Sequence, residues 1–298
     1  MDTLRLGLEW FLNPDHVPFL VARELGWLDD AGLDLVLVEP AEHLDAIDAI
    51  TSGQLDLAVT EPIHLVQDMA EGKPVVGFAR FLHTNGGVMY LASSGITRPA
   101  DMAGKRVQYP GAPGPGGLAI VRTMIAADGG DAAAPLTPVN NSFYHTAALL
   151  EDKADVATLA FYNFEVVEAR HKGHDARFFA LKDWGVPDFC QLILITTPAL
   201  LAQRGPAIRK LLAILQRGAD FIHQHPAQAR AIYFKHAGLD PADPLMSAIF
   251  HATVPCFTFD LDMSHAYYAH LAAWMRRHEL IHADLDPAAC WDSSLLYP

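Results

Sequence analysis

Two hydrophobic periods alternate almost from the first residue. Leu4, Leu6 and Leu8 recur at every second position, the period of a strand with one buried face. Residues 18–25 then carry apolar side chains at helical spacing and stop at Gly26, a helix-ending residue. The same reading predicts a strand over 33–38, a helix over 44–50 closed by Ser52-Gly53, and a buried strand over 55–59. A helix over 62–70 and a strand over 75–81 follow. This βαβαβαβ rhythm predicts a mostly parallel sheet covered by helices on both faces.

A second set starts after Gly86-Gly87. Strands are predicted over 88–91, 106–109, 136–139, 156–161 and 178–181, with helices over 117–127, 144–151 and 163–172. One more buried strand, 191–196, precedes a helical remainder over 206–225, 226–237, 241–251 and 264–277. Two α/β sets predict two lobes. The polar passages 83–87 and 182–187 read as extended crossovers between them. The expected division is 1–85 with 184–298 for the first lobe and 86–183 for the second. Ligands of such sheets sit at the carboxyl ends of the strands, so the loops there are expected to face a cleft between the lobes.

Composition narrows the function. Of 298 residues 51% are hydrophobic and 19% charged, which supplies two cores and excludes a disordered chain. The net charge of −14 argues against a nucleic-acid groove and an anionic membrane surface, both of which need a basic footprint. No apolar run has the length of a membrane-spanning helix. Cys190, Cys256 and Cys290 are odd in number and far apart, so they form neither a disulfide framework nor a CxxC pair. A leader is not visible ahead of the first strand. The expected location is the periplasm if a leader has been trimmed, and the cytoplasm if Met1 is the native start.

Several stretches are familiar. Leu8-Glu9-Trp10-Phe11-Leu12-Asn13-Pro14-Asp15-His16, Gly26-Trp27-Leu28 and Ala31-Gly32-Leu33-Asp34 resemble the opening of the sulfonate-binding/thiamine-pyrimidine superfamily. The resemblance continues through Ser52-Gly53-Gln54-Leu55-Asp56-Leu57-Ala58, Asp101-Met102-Ala103-Gly104-Lys105-Arg106-Val107, Tyr109-Pro110-Gly111 and Asp183-Trp184-Gly185-Val186-Pro187. It covers nearly the whole chain and points to two branches. One comprises the formylaminopyrimidine-binding proteins of thiamine-salvage ABC transporters, the other the fungal-type thiamine pyrimidine synthase. Both imply a two-lobe fold like type II periplasmic binding proteins, with a ligand cleft between the lobes and hinged closure.

The candidate chemistry lies in the loops. Trp10 offers a flat face for stacking a heteroaromatic ring, and Asn13 and His16 offer donors and acceptors. The same residues also suit a core indole beside a helix cap. Thr60-Glu61-Pro62-Ile63-His64 suits a helix start, with Thr60 as N-cap and Pro62 in the first turn. In the synthase branch this stretch holds a lysine that binds pyridoxal phosphate and, four residues later, a histidine consumed as substrate. His64 matches that histidine, and Thr60 stands at the lysine position. Threonine has no amine for a Schiff base, which argues against pyridoxal-dependent ring synthesis and for a chain that uses no cofactor.

Tyr109, Gly111 and Gly114 lie in a glycine-rich stretch that reads as a lid over a flat ligand. Gly114-x-Gly116-x-x-Ala119 fits a dinucleotide fingerprint formally, but Pro113 and Pro115 remove two N–H donors from it. Asn163 and Glu165 follow a strand and could receive an exocyclic amine, with Asp188 and Gln191 nearby in sequence. The synthase branch has a cysteine-rich run ending where Phe189-Cys190 stands, and only that pair is present. The transport branch has an acid where Gln191 stands. His278-Glu279-Leu280-Ile281-His282 is a literal HExxH, but the preceding helix is expected to end near Arg277, which would separate the two imidazoles. The expectation is a non-enzymatic binder of a small thiamine-related pyrimidine with an ABC permease as partner. The runner-up is a cytoplasmic synthase-like enzyme. No metal, nucleic acid or membrane insertion is expected.

Overall fold

The computed structural model describes residues 1–40, 46–110 and 112–297. In chain order the first strands and helices are β1 (Asp2–Gly7), α1 (Val17–Glu24), α2 (Trp27–Asp30), β2 (Leu33–Val38), α3 (Ala46–Thr51), β3 (Leu57–Thr60), α4 (Pro62–Ala70), β4 (Val76–His83) and β5 (Gly86–Leu91). Then come β6 (Arg106–Gln108), α5 (Pro115–Ala127), β7 (Thr137–Val139), α6 (His145–Leu150), β8 (Val156–Phe161), α7 (Val167–His171), β9 (Ala176–Ala180) and β10 (Gln191–Thr196). The chain closes with α8 (Pro198–Gln224), α9 (Pro226–His236), α10 (Pro244–Thr253) and α11 (His265–Arg277). Part of the helix predicted over 44–50 lies outside the described residues.

The chain divides into two compact units. The first comprises residues 1–83, 191–273 and 281–298, the second 84–190 and 274–280. Segment 184–190, expected with the first lobe, belongs to the second unit. Phe189 and Cys190 are fully buried there, and Phe189 lies 6.3 Å from the Trp274 ring. A Cβ at Gly86 would fall 1.7 Å from Cys190 Sγ, so only glycine lets the two backbones approach this closely. Residues 182–187 are not an extended crossover either, because Leu181–Asp183 is a 3-10 turn.

The first unit holds the sheet β2-β1-β3-β10-β4. β1 runs parallel to β2 and β3, while β10 is antiparallel to both β3 and β4. The parallel expectation therefore holds for the direction of β1 to β4, and β10 is the reversed strand inserted among them. All six β10 residues are buried, as a strand covered on both faces requires. Leu4, Leu6, Phe78, Phe81, Leu192 and Leu194 join α1, α8 and α9 in one core. Each fully buried side chain of this size contributes roughly 1.5–3 kcal/mol.

Helix α8 begins eight residues before the predicted start at 206. Thr197 caps it, accepting the Leu200 N–H at 3.1 Å, and Pro198 occupies the first turn. Pro206 lies inside the helix on an exposed face, where the Ala202 carbonyl that it leaves unpaired can meet water.

The second unit holds the sheet β7-β6-β8-β5-β9. β6 is parallel to β7 and β8, and β5 is antiparallel to β8 and β9. Met89, Ala157 and Ala160 pack there with Ala148 and Leu149 of α6. The β5–β8 register slips between Gly87 and Val88, and Leu159 opposite takes φ +63°. This bulge re-aims the end of β8 just before the residues of interest. Among the described residues no helix is long and apolar enough to cross a membrane.

Candidate functional site

In the first unit β1 and β3 lie side by side and parallel, so the loops leaving them emerge at one edge. β10 runs the other way, which brings its first residue, Gln191, to that same edge beside His83. The sequence-predicted residues Trp10, Asn13, His16, Thr60, Glu61, His64 and Gln191 thus share one edge.

Asn13 is fully buried and caps the short turn Pro14–His16. Its Oδ1 accepts the Asp15 N–H at 2.8 Å and its Nδ2 donates to the Phe11 carbonyl at 3.1 Å. His16 is also fully buried. Its Nδ1 accepts the Asn13 N–H at 3.2 Å, and its Nε2 meets both oxygens of Glu9 at 3.0 and 3.1 Å. Both residues hold the loop through these hydrogen bonds. Burial alone would lower the His16 pKa; Glu9, by charge and hydrogen bond, together with Asp15 and Glu39, outweighs it and raises the value. Trp10 is half-buried, its ring 4.3 Å from the exposed Phe11 ring.

Glu9 is the residue that sequence reasoning passed over. Its carboxylate is one-fifth exposed at the end of β1 and is oriented by a buried imidazole. The available signal was an acid at a strand's carboxyl end followed seven positions later by histidine.

At the end of β3, Glu61 rather than Thr60 is the N-cap residue of α4, because Thr60 still belongs to the strand and opposes Ile193. Thr60 Oγ1 lies 3.4 Å from His64 Nδ1, and His64 is exposed. A hydroxyl cannot form an imine, so this position does not fit pyridoxal phosphate linkage. Gln191 is buried, and its Oε1 accepts from Arg80 at 3.4 Å. Arg80 is itself forked onto Asp260 at 2.6 to 3.0 Å.

In the second unit β6, β7 and β8 are parallel, and their exits share one edge. Tyr109 is buried there, and its hydroxyl donates to the Gly114 carbonyl at 2.5 Å. Gly114 is the N-cap residue of α5. A Cβ at Gly117 would fall 2.3 Å from the Tyr109 ring, so the first turn of α5 rests on that ring. Gly111 lies outside the described residues.

The helix predicted over 163–172 begins instead as a π turn, Tyr162–Val166, before α7. Such wide turns recur at functional sites. Asn163 and Glu165 are buried in it. Thr84 Oγ1 donates to Asn163 Oδ1, and Glu165 Oε2 accepts the Phe161 N–H at 2.8 Å. Asp188 is half-buried before Phe189.

The HExxH residues sit on a helix exit. α11 ends at Arg277, Glu279 takes φ +56°, and the Leu280 N–H returns to the Met275 carbonyl at 2.9 Å. His278 Nε2 lies 3.0 Å from Thr123 Oγ1, which also accepts from Trp274 Nε1 at 3.2 Å. The reversal after Arg277 prevents the two histidines from sharing one helical face.

The profile of the NMT1/THI5-like family matches residues 13–229, more than half of the sequence. The chain belongs to the NMT1/THI5-like family. It is 29% identical over 230 residues to a formylaminopyrimidine-binding protein of Halalkalibacterium halodurans, covering 77% of this chain and 69% of that protein. It is also 29% identical over 295 residues to a 4-amino-5-hydroxymethyl-2-methylpyrimidine phosphate synthase of Legionella pneumophila, covering 98% and 91%. The periplasmic aliphatic sulphonate-binding protein SsuA of Escherichia coli superposes with a TM-score of 0.76 at 15% identity, covering 98% of this chain and 92% of that one. The family member described here therefore has the periplasmic-binding-protein fold.

Proposed function

We propose that the chain binds a small, neutral, amino-substituted pyrimidine related to thiamine, as the substrate-binding component that delivers it to an ABC permease. The observation that carries this reading over the synthase alternative is Thr60. The end of β3 offers a hydroxyl beside His64 where imine chemistry needs an amine. Trp10 and Phe11 supply aromatic surface at the same edge. The similarity to a formylaminopyrimidine-binding protein supports the ligand class.

Titration calorimetry with 4-amino-5-hydroxymethyl-2-methylpyrimidine, its phosphate and an aliphatic sulfonate tests the proposal. The neutral pyrimidine is expected to bind most tightly, and Trp10→Ala to cost about 1–3 kcal/mol of that binding. Preference for the sulfonate or the phosphate, or full affinity without Trp10, overturns it.

The synthase reading is kept as a second one because the Legionella pneumophila relative matches nearly the full length. It requires a borohydride-reducible pyridoxal adduct on the chain, or loss of the His64 imidazole in iron and oxygen. Peptide mapping reads either.

A further inference from the structure

Arg80 and Asp260 form an ion pair in the first unit that the sequence did not single out. Arg80 lies inside β4, and its guanidinium reaches Gln191, the first residue of β10, with Nη1 3.4 Å from Oε1. The other side of the guanidinium is forked onto Asp260. Nε donates to Oδ1 at 3.0 Å, and Nη2 donates to Oδ1 at 2.6 Å and to Oδ2 at 2.8 Å. This is the fork with which arginine otherwise grips a phosphate or a sulfonate.

Backbone pairing sets where Asp260 stands. Residues 257–261 run antiparallel alongside β4. Phe257 bridges to Leu82, the Thr258 N–H donates to the Phe81 carbonyl at 3.0 Å, and the Arg80 N–H donates to the Leu261 carbonyl at 2.9 Å. The Asp260 side chain is 61% exposed, against 23% for Arg80. It fills no core, so what it brings is charge. The stretches 8–16 and 61–64, which leave β1 and β3 at the edge where Gln191 lies, carry Glu9, Asp15 and Glu61 and neither lysine nor arginine. With Asp260 in place, an anion approaching this edge meets a cancelled cation among acids. Without it, the same fork would present a full positive charge.

We propose that Asp260 is a specificity-determining residue: by cancelling the charge of Arg80 beside Gln191, it makes this edge select the neutral pyrimidine against its phosphate ester. This rests on the pyrimidine reading above. Asp260 acts through the field of the pair and needs no contact with the ligand. Neighbouring strands lie about 4.8 Å apart, so β10 is roughly 10 Å from β1, whose loop carries Trp10. A Debye length of about 8–10 Å leaves a unit charge effective across that distance.

The test measures 4-amino-5-hydroxymethyl-2-methylpyrimidine and its phosphate by calorimetry at low salt. The readout is the affinity for the phosphate divided by that for the neutral compound. Asp260→Asn is expected to raise this ratio about fivefold, the size expected of one charge acting on a dianion across roughly 10 Å of water. Arg80→Gln, which leaves Asp260 unopposed, is expected to lower it by a similar factor. The double variant restores the neutrality of the pair and is expected to return the wild-type ratio. Raising the salt to about 0.5 M is expected to shrink both single-variant shifts. A merely structural role would move both ligands alike and would not respond to salt. If Asp260→Asn does not fold, Arg80→Gln decides. An unchanged ratio in the single variants, shifts of the same sign, or a shift that survives in the double variant overturns the assignment while leaving pyrimidine binding intact. Binding of neither compound to the wild type overturns the pyrimidine reading, and this assignment with it.

Discussion

The buried His16 imidazole holds both oxygens of Glu9, with Nε2 at 3.0 Å from Oε2 and 3.1 Å from Oε1. A ring with no exposed surface thereby fixes a carboxylate that still reaches solvent at the end of β1. In the neutral ring the Asn13 N–H at Nδ1 fixes the Nε2–H tautomer, and charging the ring costs that bond. Against this and against burial, Glu9, Asp15 and Glu39 still raise the pKa above its ordinary 6.5. The stabilisation from the charged ring is full below 6.5 and is lost as pH rises through the raised folded value. Glu9→Gln is expected to lower the His16 midpoint, read from its ring-proton NMR titration. An unchanged midpoint would show that Glu9 does not set it.

His145, buried at the start of α6 with its Nδ1 facing Oε1 of the buried Gln108, has the opposite sign. Its folded pKa is pushed down to about 4 from 6.5 by burial. Its contribution is therefore present above pH 6.5 and lost as pH falls from there toward about 4, on the order of 3 kcal/mol in all. Urea denaturation across that range is expected to show a shallower acid loss in the Gln108→Leu, His145→Phe variant than in the wild type. Parallel curves would contradict this.

Gly117→Ala places a methyl 2.3 Å from the Tyr109 ring, whose hydroxyl is tied to Gly114. Overpacking of this kind is expected to cost about 1–3 kcal/mol. Thermal denaturation checks it, and an unchanged midpoint would mean the first turn of α5 shifts freely.

Glu165 is expected to stabilise the π turn through the Phe161 N–H. Glu165→Ala removes the acceptor and should cost about 1–3 kcal/mol, whereas Glu165→Gln keeps an oxygen there and should cost less. Amide exchange at Phe161, faster in the alanine variant than in the glutamine variant, is the specific readout.

Glu279 takes a left-handed conformation at the end of α11. Glu279→Gly is expected to stabilise by up to about 1 kcal/mol, because glycine adopts that conformation without strain. A chelator is expected to leave the melting temperature unchanged, and one zinc per chain lost with His278→Ala would reverse the helix-exit reading.

Much of the secondary structure was legible because its period is local. Residues 33–38, 62–70, 156–161 and 191–196 carry their pattern within a few positions, and each element appears with the predicted bounds. Helix α8 was read short because proline is a start signal, and nothing local shows that the Ala202 carbonyl faces water. The π turn at Tyr162–Val166 was invisible for a similar reason. It depends on Glu165 reaching back to Phe161 and on Asn163 meeting Thr84, a partner 79 positions away.

The sequence by itself determined the two α/β sets, the families of loops that carry aromatic and polar chemistry, and the missing amine at Thr60. Each is a matter of residue type or short period. Tertiary structure decided that β10 inserts antiparallel between β3 and β4, since pairing partners far apart in the chain leave no local signature. It also decided which polar residues are spent inside the fold. Asn13 and His16 are fully buried and hydrogen-bonded within their own loop, and Gln108 and His145, ordinary positions of a strand and a helix on paper, are buried against each other. Burial and hydrogen-bond direction made that division, and both are set by neighbours that only folding brings together.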